Sequence, residues 1–202
     1  MKWQHPFTSI IAGPTGCGKS VFVSKFLKHI KEMIDVDIRE IIWCYGESQP
    51  LHAELQEMVS IPIKFNEGLP DLNDIAPDTQ ARLLIIDDLM RESNGSVVDI
   101  FSKGSHHRNI SIIFITQNIF YQGKGSRDMS LNAHYSVYPE NPKFIHDSFL
   151  DATSSAHSYL LFDMKQSTPD AFRFRTAIFP GESNWVYVPK QSGKNISQFF
   201  AV

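Results

Sequence analysis

The sequence predicts an α/β fold with a mainly parallel sheet flanked by helices and a C-terminal antiparallel strand pair. Three observations lead to this prediction. A glycine-rich pattern, G-x-x-x-x-G-K-[ST], lies between a short apolar strand and a helical stretch. Apolar segments of strand length alternate with helical segments along the chain. Polar motifs follow the carboxyl ends of the predicted strands, where an open parallel sheet binds its ligands.

Apolar runs, helical spacing and Gly/Pro breaks place the other elements. Predicted strands cover residues 7–12, 41–46, 83–86, 110–116 and 133–138. Predicted helices cover residues 21–30, 51–59, 96–103 and 144–152. Prolines bracket a loop-rich stretch around residues 63–65, and residues 159–164 and 172–179 are predicted to pair antiparallel across a Ser-Thr-Pro-Asp turn.

Composition limits the class of protein. The 202 residues are 42% hydrophobic with a net charge of -3, which suits a single domain over residues 1–189 and a loose tail over 190–202. A strongly basic nucleic-acid binder is excluded, so any DNA contact needs a local basic patch. The two cysteines, Cys17 and Cys44, form neither a disulfide framework nor a metal site, and with no signal or membrane segment they indicate the cytoplasm or nucleus.

The glycine-rich pattern predicts a phosphate-binding loop for ATP and Mg²⁺. Its eight residues are the candidate nucleotide-binding set: Gly13, Pro14, Thr15, Gly16, Cys17, Gly18, Lys19 and Ser20. The glycines let successive N–H groups turn toward an anion, and the following helix adds its positive end. Lys19 would reach the β/γ-phosphates, and the Ser20 hydroxyl would bind Mg²⁺. The alternative is a turn that only links a strand to a helix.

The strand 83–86 ends in Asp87 and Asp88, which is the Walker B form. Asp87 would hold Mg²⁺, which favours a few carboxylates and retains water. Asp88 occupies the position of a residue that polarises the attacking water, and Glu47 and Glu92 stay open as substitutes. By itself this motif is also typical of a strand that ends in an acidic turn.

Gln117 and Asn118 directly follow the strand 110–116. A carboxamide at that point can sense the γ-phosphate or orient water without adding charge. A pair that caps the strand end is the alternative. We favour the sensor because this strand is predicted beside the acidic one.

Arginine is the usual trans-acting group in phosphoryl transfer, and Arg108 and Arg127 are candidates, although either is also explained as a solvated side chain. Six residues form the only basic concentration: Lys103, His106, His107, Arg108, Lys124 and Arg127. Contacts to a DNA backbone from its lysines and arginines are a minority hypothesis. Arg173 and Arg175 are predicted to share one face of a strand.

Three segments together resemble the genome-packaging ATPases of large DNA viruses and Maverick/Polinton-like elements, the poxvirus-type branch of the FtsK/HerA superfamily. They are GPTGCGKS, LLIIDD and FSKGSHHRNISIIFITQNIFYQGKGSRDMSLNAHY. The resemblance runs from about residue 7 to residue 138 and resumes in YLLFDM and FRFRTAIFPGE. It implies a RecA-like (ASCE) P-loop NTPase that hydrolyses ATP, assembles as a homo-oligomeric ring and moves double-stranded DNA into capsids.

The resemblance also implies residue roles. Gly13, Gly18, Lys19 and Ser20 would bind nucleotide and metal, Asp87 and Asp88 would serve Mg²⁺ and water, Gln117 would be the sensor, and Arg108 the arginine before the sensor strand. The segment after Pro142 is shorter than the family pattern. This departure favours a second hypothesis, an assembly protein that binds nucleotide without hydrolysing it. A nucleotide or small-molecule kinase is a third, and the lack of an evident Arg-rich lid argues against it.

Overall fold

The structure, a computed structural model, describes residues 2–47, 50–70, 80–89, 100, 109–117, 142–189 and 198–201. The chain divides into two compact units, Lys2–Ala133 and His134–Val202, which are described separately below. The sequence analysis treated residues 1–189 as one domain. The predicted helix at residues 96–103 and the predicted strand at residues 133–138 lie outside the described residues, apart from Ile100.

The first unit contains a five-stranded sheet in which every pairing is parallel. Its strands are β1 (Thr8–Ala12), β2 (Glu40–Tyr45), β3 (Ile63–Glu67), β4 (Arg82–Asp87) and β5 (Ile110–Thr116). Their spatial order is β1-β5-β4-β2-β3. The predicted α/β fold with a mainly parallel sheet is therefore confirmed, and this arrangement fits the predicted P-loop NTPase fold.

The described residues of this unit include three helices that lie between the strands in sequence: α1 (Lys19–Lys28), α2 (Ile30–Met33) and α3 (Leu51–Met58). Helix α1 begins two residues before the predicted start, so Lys19 and Ser20 belong to its first turn. Its buried residues, Val23, Phe26 and Leu27, recur at the three- and four-residue spacing of one helix face. Burial of this apolar face packs α1 in place, and α1 in turn fixes the position of the phosphate loop that precedes it.

The burial of strand β5 explains its unbroken apolar sequence. All seven of its residues are buried, and Ser111 and Thr116 are its polar members. A strand covered on both faces needs apolar side chains at successive positions, which removes the alternation of a half-exposed strand. The run ISIIFIT therefore predicted the position of this strand without error.

The prediction of a loop at residues 63–65 was wrong. Residues Ile63–Glu67 form the edge strand β3, which pairs in parallel with β2 from Ile41↔Ile63 to Tyr45↔Glu67. The flanking prolines suggested a break, but Pro62 precedes the strand and its carbonyl accepts a bond from the Ile41 N–H. Tertiary pairing with β2 therefore overrides the local punctuation.

The second unit contains helix α4 (Pro142–Ala152) and an antiparallel sheet. Its strands, in spatial order, are β6 (Leu161–Phe162), β7 (Phe174–Thr176), β8 (Trp185–Val188) and β9 (Gln198–Ala201). The antiparallel pairing of β6 with β7 is confirmed. Phe144, Ala152, Phe174 and Tyr187 form the core of this unit.

The predicted strand pair is incomplete because β8 and β9 extend it. The aromatic and β-branched run WVYV of β8 is a strand signal that the sequence analysis passed over. Strand β9 lies within the stretch predicted to be a loose tail, where it pairs with β8 from Trp185↔Ala201 to Val188↔Gln198. Two consecutive phenylalanines in its sequence, QFFA, are a strand signal that the polar residues before it obscured.

Arg173 and Arg175 do not form the shared strand face that was predicted. Arg173 precedes β7, and its Nε lies 2.7 Å from Asp170 Oδ1. The Arg175 Nε donates to the Phe172 carbonyl over 2.7 Å. Both side chains are engaged with the turn that leads into β7. Among the described residues, no helix combines the length and the apolar character that crossing a membrane requires.

Candidate nucleotide site

The end of β5 joins the two motifs that the sequence predicted to cooperate. Strand β5 lies between β1 and β4 in the sheet. The Gly13 N–H, at the start of the phosphate loop, donates to the Thr116 carbonyl over 3.3 Å. The Asp88 N–H donates to the neighbouring Ile115 carbonyl over 3.0 Å. Two consecutive carbonyls therefore hold the phosphate loop and the acidic turn on either side of one strand end.

The loop itself is tightly wound. A Cβ atom on Gly13 would lie 2.6 Å from the Cys17 Sγ, closer than real Cβ contacts come. Gly18 has φ 100°, a left-handed conformation that side chains other than glycine rarely adopt, and it caps α1. The cap uses no side-chain hydrogen bond, and the first turn of α1 carries no acidic residue. The positive end of the helix therefore faces no competing carboxylate of its own first turn.

Lys19 folds back across the loop. Its Nζ donates to the Gly13 carbonyl over 2.7 Å and to the Pro14 carbonyl over 3.1 Å. Both acceptors belong to the loop, so the ammonium group is held against the backbone that would surround a phosphate. An ammonium donates in three directions, which leaves it one more donor for an anionic ligand.

Asp87 ends β4 as a half-buried carboxylate. Burial raises the pKa of Asp87, and the adjacent Asp88 raises it further. Lys19 and the Trp43 side chain lower this pKa. Lys19 therefore lies close enough to Asp87 for its positive charge to favour the ionised carboxylate.

Asp88 and Gln117 meet directly. The Gln117 Nε2 donates to the Asp88 Oδ2 over 2.6 Å, and both side chains are exposed. Asp88 has φ 52°, the left-handed region that aspartate visits more readily than most residues. Its backbone turn and its side-chain bond together set the direction of the carboxylate.

The oxygen ligands suit Mg²⁺ better than a transition metal. The described residues contain no group of three or more His, Cys, Asp or Glu side chains arranged around a metal. Mg²⁺ needs only one or two carboxylates besides water and substrate phosphates, and Asp87 with the Ser20 hydroxyl would be the set to hold it here. Burial and the neighbouring Asp88 both disfavour the ionised carboxylate of Asp87. A cation bound nearby would offset both effects.

Of the other candidate site residues, Glu47 is the one that the described part of the chain includes. Glu47 lies two residues after β2, is exposed, and follows Gly46, where a Cβ atom would lie 3.4 Å from the side chain of Leu89. Its neighbour Gly46 therefore lies close to Leu89. The remaining candidates lie outside the described residues: Glu92, Lys103, His106, His107, Arg108, Asn118, Lys124 and Arg127.

Trp43 is a residue beside the site that the sequence analysis did not single out. It lies in the middle of β2, is fully buried, and its indole lowers the pKa of Asp87. The N–H of a buried tryptophan usually has a hydrogen-bond acceptor. A tryptophan in the apolar run IIWCYG was therefore the available signal that a polar group lies near this strand.

A scan of protein-family models found no match to the sequence, and a search of curated proteins found none either. Among solved structures, the chain is similar to the genome packaging NTPase B204 from Sulfolobus turreted icosahedral virus 2, solved in complex with ATP-gammaS. The identity is 11%, the match covers 91% of this chain and 98% of that chain, and the TM-score is 0.41. A likeness at this level carries no conclusion about function.

Proposed function

We propose that this protein is an ATPase that moves double-stranded DNA during the packaging of a viral or virus-like genome. The observation that carries the ATPase part is the junction at the end of β5, where Gly13 and Asp88 bond to adjacent carbonyls. This junction supports a site in which the phosphate loop, the acidic turn and Gln117 act on one triphosphate. The DNA part depends on the resemblance of the three sequence segments to packaging ATPases.

In the proposed reaction, the loop N–H groups and Lys19 bind the phosphates of ATP. Bound Mg²⁺, held by Ser20 and Asp87, would supply charge neutralisation on the β- and γ-phosphates. Asp88 orients a water and accepts its proton as the water oxygen bonds to the γ-phosphorus. The bond from that phosphorus to the bridging oxygen breaks, and ADP leaves with inorganic phosphate.

Gln117 has two roles in this scheme. Its Nε2 holds Asp88, and its Oε1 is left to contact the attacking water or to sense the γ-phosphate through that water. Arg108 of a neighbouring copy in a homo-oligomeric ring would complete the site. Duplex DNA would pass through this ring, and capsid proteins would dock on it.

Steady-state hydrolysis and nucleotide affinity, measured with and without duplex DNA, test the proposal. Lys19→Ala and Asp87→Asn should lower turnover at least about 100-fold, because each removes a group from the charged centre. Lys28→Ala, at the exposed far end of α1, and Asp37→Asn, at an exposed position between α2 and β2, are the matched controls. The ATPase proposal fails if the wild type does not hydrolyse ATP, and the DNA proposal fails if duplex DNA leaves the rate of the assembled protein unchanged.

The assembly protein that binds but does not hydrolyse is the second candidate. It is favoured by one observation, since Asp88 is shorter than a glutamate and is already engaged by Gln117. This candidate predicts measurable ATP affinity that Lys19→Ala abolishes, with turnover at background. The same two assays therefore distinguish the candidates.

A further inference from the structure

Trp43 lies directly beside the candidate magnesium carboxylate. In the parallel register, Trp43 pairs with Ile85 and Tyr45 pairs with Asp87. Residues two apart in a strand share a face, so Trp43 and Asp87 are diagonal neighbours on the same face of the sheet. An aromatic side chain is long enough to bridge that diagonal.

The indole N–H of Trp43 is a buried hydrogen-bond donor. The side chain is fully buried, and its Nε1 meets no acceptor at full hydrogen-bond geometry among the described residues. A buried donor left without a partner is costly. The side chain diagonal to the indole on the same face of the sheet is that of Asp87, and its carboxylate is able to accept such a bond.

The ring of Trp43 is held from its other side. Its centroid lies 5.7 Å from that of His52 on α3 and 6.4 Å from that of Phe65 on β3. His52 is itself 5.0 Å from Phe65, and burial lowers its pKa, which favours the neutral imidazole. Two elements, α3 and β3, thus pack against the indole, and a fixed indole gives its N–H a fixed direction.

We propose that Trp43 is a positioning residue for Asp87: its indole N–H holds the carboxylate in the orientation in which it meets Mg²⁺ on a bound nucleotide. This proposal rests on the proposed nucleotide site. The contact resembles the hydrogen bonds that orient metal ligands in other proteins, whose loss typically weakens metal binding about 10- to 100-fold.

The first experiment uses Trp43→Phe, which keeps an aromatic ring and removes the N–H. We expect the Mg²⁺ concentration needed for half-maximal binding of a fluorescent ATP analogue to rise about 10-fold or more. Affinity for the same analogue in EDTA should stay within about twofold. Trp3→Phe is the matched control, because Trp3 is also buried with an Nε1 that lacks an acceptor among the described residues. An unchanged Mg²⁺ requirement in folded Trp43→Phe overturns the proposal.

The second experiment needs no change at Trp43. The three indole N–H resonances of the ¹⁵N-labelled protein are assigned by single substitutions of Trp3 and Trp185. Asp87→Ala should shift the Trp43 resonance and leave the other two in place. No shift overturns the contact. If the wild type binds no nucleotide, the proposed function fails and the metal role fails with it, whereas failure of the Trp43 tests in a nucleotide-binding protein removes the positioning role alone.

Discussion

The Gln117 Nε2 donates a 2.6 Å hydrogen bond to the Asp88 Oδ2 and so ties the residue after β5 to the residue after β4. The two strands are neighbours, and the Asp88 N–H is also bonded to the Ile115 carbonyl. The direction of the Asp88 carboxylate is therefore set by two contacts from this part of the chain. One is the Ile115 carbonyl of β5, and the other is the side chain of Gln117, which follows β5.

Removal of this bond should slow hydrolysis more than it weakens binding. We expect Gln117→Ala to lower turnover about 100-fold, at the lower end of what a positioned base contributes, with nucleotide affinity within about twofold. Gln117→Glu should be slower still, because a second carboxylate repels Asp88. In a double-mutant cycle with Asp88→Asn, the effects should be strongly non-additive if the residues act as a unit. Additive losses would contradict the coupling, and Gln4→Ala at an exposed site serves as control.

Gly13→Ala should destabilise the protein through one identified contact. The added Cβ would meet the Cys17 Sγ at 2.6 Å, and overpacking typically costs about 1–3 kcal/mol in the free energy of unfolding. Cys17→Ala removes the sulfur, so the double variant should regain most of that stability in urea titrations. Gly16→Ala should be destabilising for a different reason, because Gly16 has a φ of 80°, which alanine rarely adopts. An added Cβ there would meet no atom within 4 Å, so Cys17→Ala should not restore the stability of this variant. Equal rescue at both glycines would refute this account.

The two thiols should react very differently. Cys17 is exposed in the phosphate loop, whereas Cys44 is buried and burial raises its pKa to about 12. At pH 8, four units below that pKa, the Cys44 thiol stays protonated and unreactive. Maleimide should therefore modify one thiol quickly, and ATP should protect it if the loop binds phosphate. Cys17→Ser should abolish the fast phase, and a fast phase that persists in this variant would show that Cys44 is accessible.

In the second unit, the Tyr187 hydroxyl donates to the Asp151 Oδ2 over 2.8 Å and joins β8 to α4. Tyr187→Phe keeps the buried ring and removes the bond, so unfolding in urea should become easier by about 1 kcal/mol. Tyr159→Phe removes the acceptor of the Ile178 N–H in the same unit, and we expect a comparable loss in the free energy of unfolding. A change at Tyr187 below about 0.3 kcal/mol would mean that water replaces the bond without cost.

Much of the candidate nucleotide site could be predicted from the sequence because its parts are local. A glycine-rich turn between an apolar run and a helical run is specified by adjacent residues, and so is a strand that ends in Asp87 and Asp88. The predicted bounds of β5 agree with the observed ones, since an unbroken apolar segment leaves little choice.

Tertiary structure decided the relationships between those parts. That β5 lies between β1 and β4, that Gln117 bonds to Asp88 and that Trp43 lies beside Asp87 all depend on strand order and register, which no local pattern encodes. The strands β3 and β9 were missed for the same reason, because their stability comes from pairing with β2 and β8. The sequence by itself determined which chemical groups end each strand, and the sheet determined which of them meet, because backbone pairing between distant segments brings those ends together.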